Sequence, residues 1–483
     1  MLNITADDLA QMKTGFLVIP VFEDAAFSRS PVVGSLISRA MTYPEFKGGS
    51  GEELMLYSPE EAAAERVLFL GIGKKEKADP EVFRAAAGKA MSRAIRAKQT
   101  DILFCGHGKK ESVFAMMEGA VLGNHLSDLY KKERKNKPVA QIVFHVDQSK
   151  QTAYMEASGG IQTVCKGTIM ARDWVSAPPN DKRPDMFARS IVKAADRENL
   201  TIVDIDERNI RKNRMYALLA VGSGSDTKPR MLVIDYRPDK YDKTVALVGK
   251  GVTFDSGGIN LKPGSGLADM KQDMAGAAAV AATLITASRM GIGHRVIGVL
   301  PLVENMPSGN AYRPGDIIRT ASGKTVEIGN TDAEGRMILA DAISYAIKQY
   351  TPDMLIDVAT LTGACKMALG PKIAGVFSWD DKLSGQLVAS GRKTFERCWA
   401  MPMPDDYKDM IKSDIADIRN VGKSRWGGAI AAALFLAEFV KEVNWAHIDI
   451  AGPAFSDKAN AYCPVGGTGF GVRLLIDWLQ NLQ

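Results

Sequence analysis

The chain has 483 residues, which is long enough for two or three domains that each bury a core of their own. Hydrophobic residues make up 46% of it and charged residues 24%, which is ordinary for a soluble globular protein. The net charge of +5 is mild for this length. It does not require a nucleic-acid or membrane partner, although it leaves a nucleic-acid partner open.

Three features of the sequence predict a cytoplasmic protein without a membrane partner. The N-terminal sequence MLNITADDLAQMKTG has no basic run followed by an apolar segment, so we expect no secretory signal. The most apolar window, residues 429–440, is too short to span a bilayer and predicts a buried helix. The cysteines are scattered and form no C-x-x-C pair, which indicates buried, reduced thiols. They are Cys105, Cys165, Cys365, Cys398 and Cys463.

Residues 1–160 predict a smaller N-terminal α/β domain. Short β-branched or aromatic runs at residues 16–22, 66–71, 101–106 and 141–146 alternate with helical stretches such as residues 79–98. This alternation is typical of layered α/β domains, and the region contains no convincing catalytic cluster, so we expect a role in assembly or regulation. The charged run at residues 130–137, YKKERKNK, indicates a solvated surface, and nucleic-acid contact is the alternative.

Residues 161–483 predict a larger C-terminal α/β domain with a central mixed sheet flanked by helices. A helical stretch at residues 161–175 precedes the break SAPPN at residues 176–180. Strands are predicted at residues 201–206, 231–236, 244–249, 295–299, 354–360 and 447–451. Helices are predicted at residues 183–198, 275–290, 336–349 and 429–443. Several strands are continuous apolar runs, as expected for a sheet covered on both faces.

A glycine-rich segment with two charged residues follows the strand at residues 244–249. It reads KGVTFDSGG at residues 250–258 and contains Lys250 and Asp255. The glycines indicate backbone packed closely against something, such as a ligand, and ligands collect at the carboxyl ends of strands in open α/β sheets. A phosphate loop is the rival interpretation, but Lys250 is not followed by Ser or Thr. Lys262 and Asp273 come next, and Asp273 could simply complement the start of the following helix.

A second polar segment, NTDAEGR, lies at residues 330–336. If its backbone is extended, Asp332, Glu334 and Arg336 project to one side, because side chains alternate along a strand. Two neighbouring acids repel each other unless cations neutralise them. An ordinary polar loop before the next helix is the alternative.

The acids of the two segments carry four negative charges, which would balance two divalent cations. Oxygen ligands suit Mg or Mn, and Zn also accepts carboxylate oxygen. No histidine lies in either segment, so a histidine-based zinc site is not expected. Spacing alone does not establish that the segments meet.

Together these segments resemble the motifs of the leucine aminopeptidase family, the cytosolic di-metal aminopeptidases. The resemblance is carried by residues 250–258, 273–276 (DMAG) and 330–336, and it extends through residues 304–315, 357–363 and 450–452. It covers the second half in the family's order, whereas the first half matches only in its general α/β character. Ala275 departs from the glycine that the family often has after Asp-Met, which we expect to affect helix packing only.

The resemblance implies a role for each matching residue. The metal ligands would be Lys250, Asp255, Asp273, Asp332 and Glu334. Lys262 and Arg336 would be catalytic without binding metal: the lysine would stabilise an oxyanion, and the arginine would hold a bicarbonate ion. The substrate-binding residues would be Met270, Asn330, Thr360, Leu361, Gly363 and Ala451.

The implied activity is that of a metal-dependent aminopeptidase with a broad preference for Leu- and Met-like N-terminal residues. Two divalent ions per subunit are implied, Mn or Zn, with Mg or Co as alternatives, and the partners would be peptide substrates and other copies of the chain in a homohexamer. Two alternatives stay open. One is a two-metal phosphoesterase, and the other is an additional DNA-binding or regulatory role of the hexamer.

Overall fold

The computed structural model describes residues 2–25, 30–106, 108–424, 426–440 and 442–482. Two compact units are present, Met1–Lys166 with Asp457–Val465 and Gly167–Ser456 with Gly466–Gln483. Within the described part of the chain, no helix is long and apolar enough to cross a membrane. All five cysteines are buried thiols outside any disulfide between described residues, as predicted.

The first unit is built on a six-stranded sheet in the order β1-β6-β5-β2-β4-β3. All neighbouring strands run parallel except the antiparallel pair β3–β4. The strands are β1 (Leu2–Thr5), β2 (Leu17–Phe22), β3 (Glu53–Tyr57), β4 (Arg66–Gly73), β5 (Asp101–Cys105) and β6 (Gln141–His145). The helices are α1 (Pro31–Ala40), α2 (Pro80–Arg96), α3 (Lys110–Gly123) and α4 (Gln151–Ser176), whose last turns belong to the second unit.

The four strands predicted for this region are present, and the predicted helix is α2. Its start follows from local chemistry, because the Asp79 carboxylate accepts a hydrogen bond from Val82 N at 3.1 Å and Pro80 occupies the first helical position. The run at residues 130–137 is exposed throughout and forms no regular helix or strand.

The second unit contains a nine-stranded mixed sheet in the order β16-β15-β18-β14-β9-β11-β8-β7, with β10 also paired to β11. Strands β9, β11, β14 and β18 are mutually parallel at its centre. Strand β8 is antiparallel to both β11 and β7, and β15 is antiparallel to β18 but parallel to β16. The strands of this sheet are β7 (Thr201–Ile205), β8 (Arg230–Tyr236), β9 (Thr244–Gly249), β10 (Gly251–Asp255), β11 (Arg295–Asn305), β14 (Met354–Ala359), β15 (Ala374–Phe377), β16 (Cys398–Ala400) and β18 (Asn444–Asp449). A three-stranded sheet contains β12 (Ile317–Arg319), β13 (Thr325–Glu327) and β17 (Ile418–Arg419), and a two-stranded sheet contains β19 (Phe455–Ser456) and β20 (Gly466–Gly467).

Helices cover both faces of this sheet. They are α5 (Pro184–Ala194), α6 (Glu207–Lys212), α7 (Tyr216–Gly222), α8 (Ala275–Met290), α9 (Glu334–Tyr350), α10 (Gly363–Leu369), α11 (Asp381–Thr394), α12 (Gly428–Ala437) and α13 (Val472–Asn481). On β11, Ile297 and Val299 pack in one core with α9, whereas Gly298 between them faces Leu284 of α8. Because alternate residues of a strand point to opposite faces, α8 and α9 lie on opposite sides of the sheet.

The strands and helices predicted for this half are present with shifted ends. β11 extends to Asn305, whereas its prediction stopped at residue 299. The helix predicted to begin at Arg336 begins at Glu334. The carboxyl ends of parallel β9, β14 and β18 share one edge of the sheet, so the residues that follow them are brought together there.

Candidate metal centre

Lys250 lies at the middle of a buried cluster at this edge. It follows β9, and its backbone is fixed on both sides: its N donates to Val358 O at 3.0 Å, and its O accepts from Ala277 N at 2.8 Å. Its side chain is almost fully buried, and Nζ lies 2.8 Å from both Asp273 Oδ1 and Glu334 Oε1. The two segments singled out in the sequence therefore meet at this amine.

Asp273 also belongs to the cluster and lies at the end of a short 3-10 helix that leads into α8. Its Oδ1 accepts hydrogen bonds from Lys250 Nζ at 2.8 Å and Thr360 Oγ1 at 2.7 Å. Met274, and not Asp273, is the N-cap of α8 and makes no side-chain cap. Asp273 therefore does not cap α8 with its side chain, whereas a contribution of its charge to the helix start stays an alternative. Burial raises the pKa of Asp273 well above its ordinary value.

Asp255 ends β10 and is held by two hydrogen bonds. Its Oδ1 accepts from Gly257 N at 2.9 Å and from Asn305 Nδ2 at 2.8 Å. Its Oδ2 lies 2.8 Å from Lys262 Nζ. Burial, reinforced by the charge of Glu334, raises the pKa of Asp255 to about 6. A buried acid that is this hard to ionise favours a nearby cation.

The glycines of this region accommodate the protein's own chain. A β-carbon on Gly249 would lie 2.6 Å from Ala277 Cα, and one on Gly258 would lie 2.7 Å from Asn305 Oδ1. Gly257 and Gly258 also have positive φ angles of 89° and 65°. The close approach predicted from sequence is real, but the partner is protein backbone and side chain.

Lys262 and Asp332 form the more accessible side of the cluster. Lys262 Nζ lies 2.5 Å from Asp332 Oδ1, and 21% of the lysine side chain and 31% of the aspartate side chain remain exposed. Burial raises the pKa of Asp332, and the hydrogen bond from Lys262 opposes that shift. This side is therefore the one from which a solute can reach the cluster.

Glu334 is the first residue of α9, so the prediction of an extended backbone through residues 332–336 is wrong. Because residues two apart on a helix point in different directions, Glu334 and Arg336 do not share a side. Glu334 faces Lys250, and Arg336 donates from Nη1 to Asn420 O at 2.7 Å. Burial acts to raise the pKa of Glu334, but Lys250 and Lys262 outweigh it and hold the pKa low.

The donor set fits divalent cations. Carboxylate oxygens of Asp255, Asp273 and Glu334 lie within 4.8 Å of one another. Asp273 Oδ2 and Glu334 Oε2 are buried and have no hydrogen-bond donor among the described residues. Buried acids at this separation repel one another unless a cation lies between them. Carboxylate oxygens are the ligands that hard divalent cations prefer. Of the two residues predicted to be catalytic, Lys262 contacts Asp255 and Asp332 of this cluster, whereas Arg336 contacts Asn420.

The predicted substrate residues surround the same edge. Thr360 directly follows β14 and contacts the metal cluster, because its backbone O accepts a hydrogen bond from Lys250 Nζ at 2.9 Å. Leu361 and Ala451 are half-buried and Gly363 is exposed at the start of α10. Met270 lies on the 3-10 helix before Asp273.

Asn330 has a local contact, since its Oδ1 accepts from Asp332 N at 2.8 Å. It also receives a hydrogen bond from Asn420, whose Nδ2 donates to Asn330 O at 2.8 Å. Asn330 therefore shapes the loop that carries Asp332.

Sequence reasoning did not single out several polar residues that support the cluster. Asn305 is fully buried and donates to both Asp255 and Thr331. Asn420 is fully buried and contacts Asn330 and Arg336. Asn305 is the last residue of the apolar strand β11 and lies within a matched motif, which was an available signal. Asn420 has no such signal, since it lies in an ordinary polar stretch.

Two family models match the chain. The catalytic-domain model of the cytosol aminopeptidase family matches residues 169–476, and the N-terminal-domain model of the same family matches residues 18–134. The chain belongs to the cytosol aminopeptidase family. It is a metal-dependent aminopeptidase, so the family, the two-domain α/β fold and the activity expected from the motifs are confirmed.

Curated relatives of the family match over the whole chain. A probable cytosol aminopeptidase of Geobacter sp. (strain M21) is 41% identical, with 99% of each chain covered. A probable cytosol aminopeptidase of Chlorobium limicola is also 41% identical, again with 99% of each chain covered. These matches therefore include the first half of the chain, for which the motifs alone indicated only a general α/β character.

Solved structures are also similar to the chain. The bottromycin maturation enzyme BotP in complex with Mn is 35% identical with a TM-score of 0.86, and the match covers 97% of this chain and 99% of that one. A mutant of tomato leucine aminopeptidase is 30% identical with a TM-score of 0.87, covering 99% of this chain and 96% of that one.

Proposed function

We propose that the chain releases Leu- and Met-like residues from the N-termini of peptides at a two-metal centre. The ligands would be Lys250, Asp255, Asp273, Asp332 and Glu334. The observation that carries the proposal is the buried carboxylate cluster in which Asp273 Oδ2 and Glu334 Oε2 lack a donor among the described residues. Four acids face only two lysines there, which leaves negative charge for cations to neutralise.

Two divalent ions, when bound, would supply a water made hydroxide-like near neutral pH and would polarise the scissile carbonyl. We propose Mn or Zn, with Mg or Co as alternatives, because carboxylate oxygens accept all of these. The similarity to BotP, whose solved complex contains Mn, supports Mn. Lys250 would bind as the neutral amine, so metal loading would release its proton.

Lys262 would stabilise the negative charge that develops on the carbonyl oxygen. Burial acts to lower the pKa of Lys262, but Asp255 and Glu334 raise it overall, so the side chain stays a cation at neutral pH. Its position on the accessible side of the cluster, with 21% of the side chain exposed, suits a group that must meet substrate.

Arg336 would hold a bicarbonate ion, which would supply a proton acceptor. Burial lowers the pKa of Arg336 to about 10, so the guanidinium remains charged at neutral pH and cannot itself be a base. Its Nε is buried and has no acceptor among the described residues, which supports an anion partner at this position.

The first side chain of the substrate would enter a pocket lined by the predicted substrate residues. These are Met270, Asn330, Thr360, Leu361, Gly363 and Ala451. An apolar pocket discriminates by only ~1–3 kcal/mol per methylene, so the preference would be broad. We further propose a homohexamer located in the cytoplasm, as the family resemblance implies. The DNA-binding alternative depends on the exposed charged run at residues 130–137 alone.

A metal-dependence experiment tests the function. Hydrolysis of leucyl-p-nitroanilide is measured with Mn, with Zn and after chelation, for wild type, Glu334→Ala and Lys262→Ala. We expect chelation and Glu334→Ala to abolish activity. Lys262→Ala should retain bound metal and lose about 10²–10³ in kcat, as when an oxyanion donor is removed.

Asp341→Asn is the matched control, because Asp341 is a buried carboxylate on the same helix α9 that contacts Leu218 N and Ala321 N instead of the cluster. It should retain metal-dependent activity. Activity that resists chelation, or full activity in Glu334→Ala, contradicts the two-metal proposal.

A further inference from the structure

Asp449 is a buried carboxylate that connects two strand ends beside the metal cluster. It is the last residue of β18 and is 1% exposed. Its Oδ1 accepts from Leu361 N at 3.2 Å and from Ala451 N at 3.0 Å. Its Oδ2 accepts from Thr362 Oγ1 at 2.7 Å. One side chain therefore satisfies three donors from two separate segments.

The two segments are the ones that carry the proposed pocket residues. Strands β14 and β18 are parallel, with Ala359 opposite Asp449. The backbone pairing ends at the bond from Ile450 N to Ala359 O, which is 2.8 Å long. Beyond that bond, the Asp449 carboxylate is what joins Leu361 to Ala451. This side chain thus connects the two proposed pocket walls directly.

The segment at residues 360–363 also borders the metal cluster. Thr360 O accepts from Lys250 Nζ, and Thr360 Oγ1 donates to Asp273 Oδ1. Leu361, the next residue, donates to Asp449. Cluster contacts and pocket contacts are therefore consecutive along the chain, so a shift of this segment would move the pocket relative to the reacting bond.

Thr362 extends the connection to α10. While its Oγ1 donates to Asp449, the same oxygen accepts from Cys365 N at 3.0 Å and caps the helix. Gly363, a proposed pocket residue, is the first residue of that helix. The carboxylate thus fixes the start of α10 as well as the strand ends.

We propose that Asp449 is a positioning residue that determines how strongly the enzyme selects large apolar N-terminal residues over small ones. The inference rests on the proposed function, because it takes residues 360–363 and 451 as the walls of the first-residue pocket. The hydrogen bonds of the Asp449 side chain go to Leu361, Thr362 and Ala451 and to none of the proposed metal ligands. It acts by holding both walls at one distance from the metal cluster.

The test compares kcat/KM for leucyl- and alanyl-p-nitroanilide in the metal-loaded enzyme, together with bound metal per subunit. In Asp449→Ala we expect unchanged metal content and a fall of about tenfold in the Leu:Ala ratio, the size of a contact with one or two methylenes. The loss should appear mainly as a higher KM for the leucyl substrate. Asp449→Asn should retain most of the ratio, because its amide oxygen still accepts from both backbone N–H groups and its amide nitrogen can donate to Thr362 Oγ1.

Thr362→Val provides a second variant in case Asp449→Ala does not fold. It removes the 2.7 Å bond to Asp449 together with the capping bond from Cys365 N, and it should lower the ratio in the same direction. Asp357→Asn is the matched control. Asp357 is fully buried on β14 and bonds to Trp445 Nε1 and His447 Nδ1, away from the loop. It should leave the Leu:Ala ratio unchanged.

Equal losses for both substrates, or loss of bound metal in Asp449→Ala, would overturn the positioning role. A Leu:Ala ratio that falls as far in Asp357→Asn would also overturn it, since changing any buried acid near these strands would then reduce selectivity. Failure of the proposed function looks different. Wild type would then show hydrolysis that is insensitive to chelation, before any variant is compared.

Discussion

Gly335 leaves just enough room for Lys250, because a β-carbon on Gly335 would lie 2.5 Å from Lys250 Cε and 2.7 Å from its Nζ. The glycine is the second residue of α9, between Glu334 and Arg336. Its small size lets the helix start approach the lysine so closely that Glu334 Oε1 reaches Nζ at 2.8 Å. The tight contact makes this glycine part of the geometry of the cluster.

Gly335→Ala should therefore displace Lys250 and weaken metal binding. The Lys250 backbone cannot move away from the new methyl group, because it is hydrogen-bonded on both sides. The end of the buried side chain must shift instead. We expect at least a tenfold loss of metal affinity and of kcat/KM, consistent with the effect of small misplacements in catalytic sites. Metal titration with an activity readout measures both.

Gly385→Ala is the control for this substitution. Gly385 lies in α11, and a β-carbon there meets nothing within 4 Å. It should leave metal affinity unchanged and slightly stabilise the helix. Wild-type metal affinity in Gly335→Ala would show that Lys250 does not have to occupy this position.

Asn305 should tune metal affinity through Asp255. Its Nδ2 donates to Asp255 Oδ1 at 2.8 Å and to Thr331 O at 3.0 Å, so it fixes the rotation of the carboxylate. Removing such a supporting partner typically costs 10–100-fold in metal affinity. We expect a loss of about this size in Asn305→Ala, measured by competition with a chromogenic chelator.

Asn444→Ala is the matched control for Asn305→Ala. It removes another 2.8 Å hydrogen bond from an asparagine to an aspartate, Asn444 Nδ2 to Asp380 Oδ2. Asn444 begins β18, whereas the metal cluster lies beyond the other end of that strand. Equal effects of the two substitutions would mean that Asn305 acts through general stability.

Metal removal should lower thermal stability as well as activity. The four acids retain Lys250 and Lys262 as neighbouring cations, but their charges are only half balanced. An ion at 100 times its Kd stabilises the folded state by about 2.7 kcal/mol. We expect Tm to fall after dialysis against chelator and to recover with Mn or Zn, as measured by scanning calorimetry.

Glu334→Gln should reduce this metal-dependent shift, because it removes a charged ligand without changing side-chain volume. A Tm that does not respond to metal in wild type would count against ions bound in the folded state. A full shift in Glu334→Gln would place the ions elsewhere.

The sequence predicted the central strands and helices because their signals are local. Continuous apolar runs such as β9 are typical of strands buried on both faces, and the alanine-rich α8 contains no proline. Short or half-exposed elements gave no such signal. β16 has three residues with Trp399 59% exposed, and it is a strand because it pairs with β15.

The site was predictable as a set of residues but not as an arrangement. Asp273 and Glu334 are far apart in the sequence, and only parallel pairing of β9 with β14 and the packing of α8 and α9 bring them to one lysine. The extended geometry expected for residues 332–336 failed because α9 starts without a side-chain cap, at Ala333. A helix start without Ser, Thr, Asp or Asn is not visible in the sequence.

Asp341 should make stability depend on pH. Its two oxygens accept from Leu218 N and Ala321 N, at 2.9 and 2.7 Å, and the side chain is fully buried. Burial raises the pKa of Asp341 from 3.8 to about 7, although the backbone N–H groups oppose the shift. The folded state thus holds this proton more tightly than the unfolded chain does. Its contribution to stability is complete below pH 3.8 and is lost as the pH rises towards 7.

Asp341→Asn cannot ionise, so its free energy of unfolding relative to wild type isolates this titration. Between pH 5 and pH 8, we expect the free energy of unfolding of the variant to rise relative to that of wild type by a few kcal/mol. This follows from about 1.36 kcal/mol per pKa unit. Urea unfolding at each pH, with metal concentration held constant, measures the difference. Asp380→Asn should show no such change over this range, because hydrogen bonds from Leu383 N and the neighbouring backbone lower the pKa of Asp380. A constant difference between Asp341→Asn and wild type would mean that Asp341 is already ionised in the folded protein at pH 5.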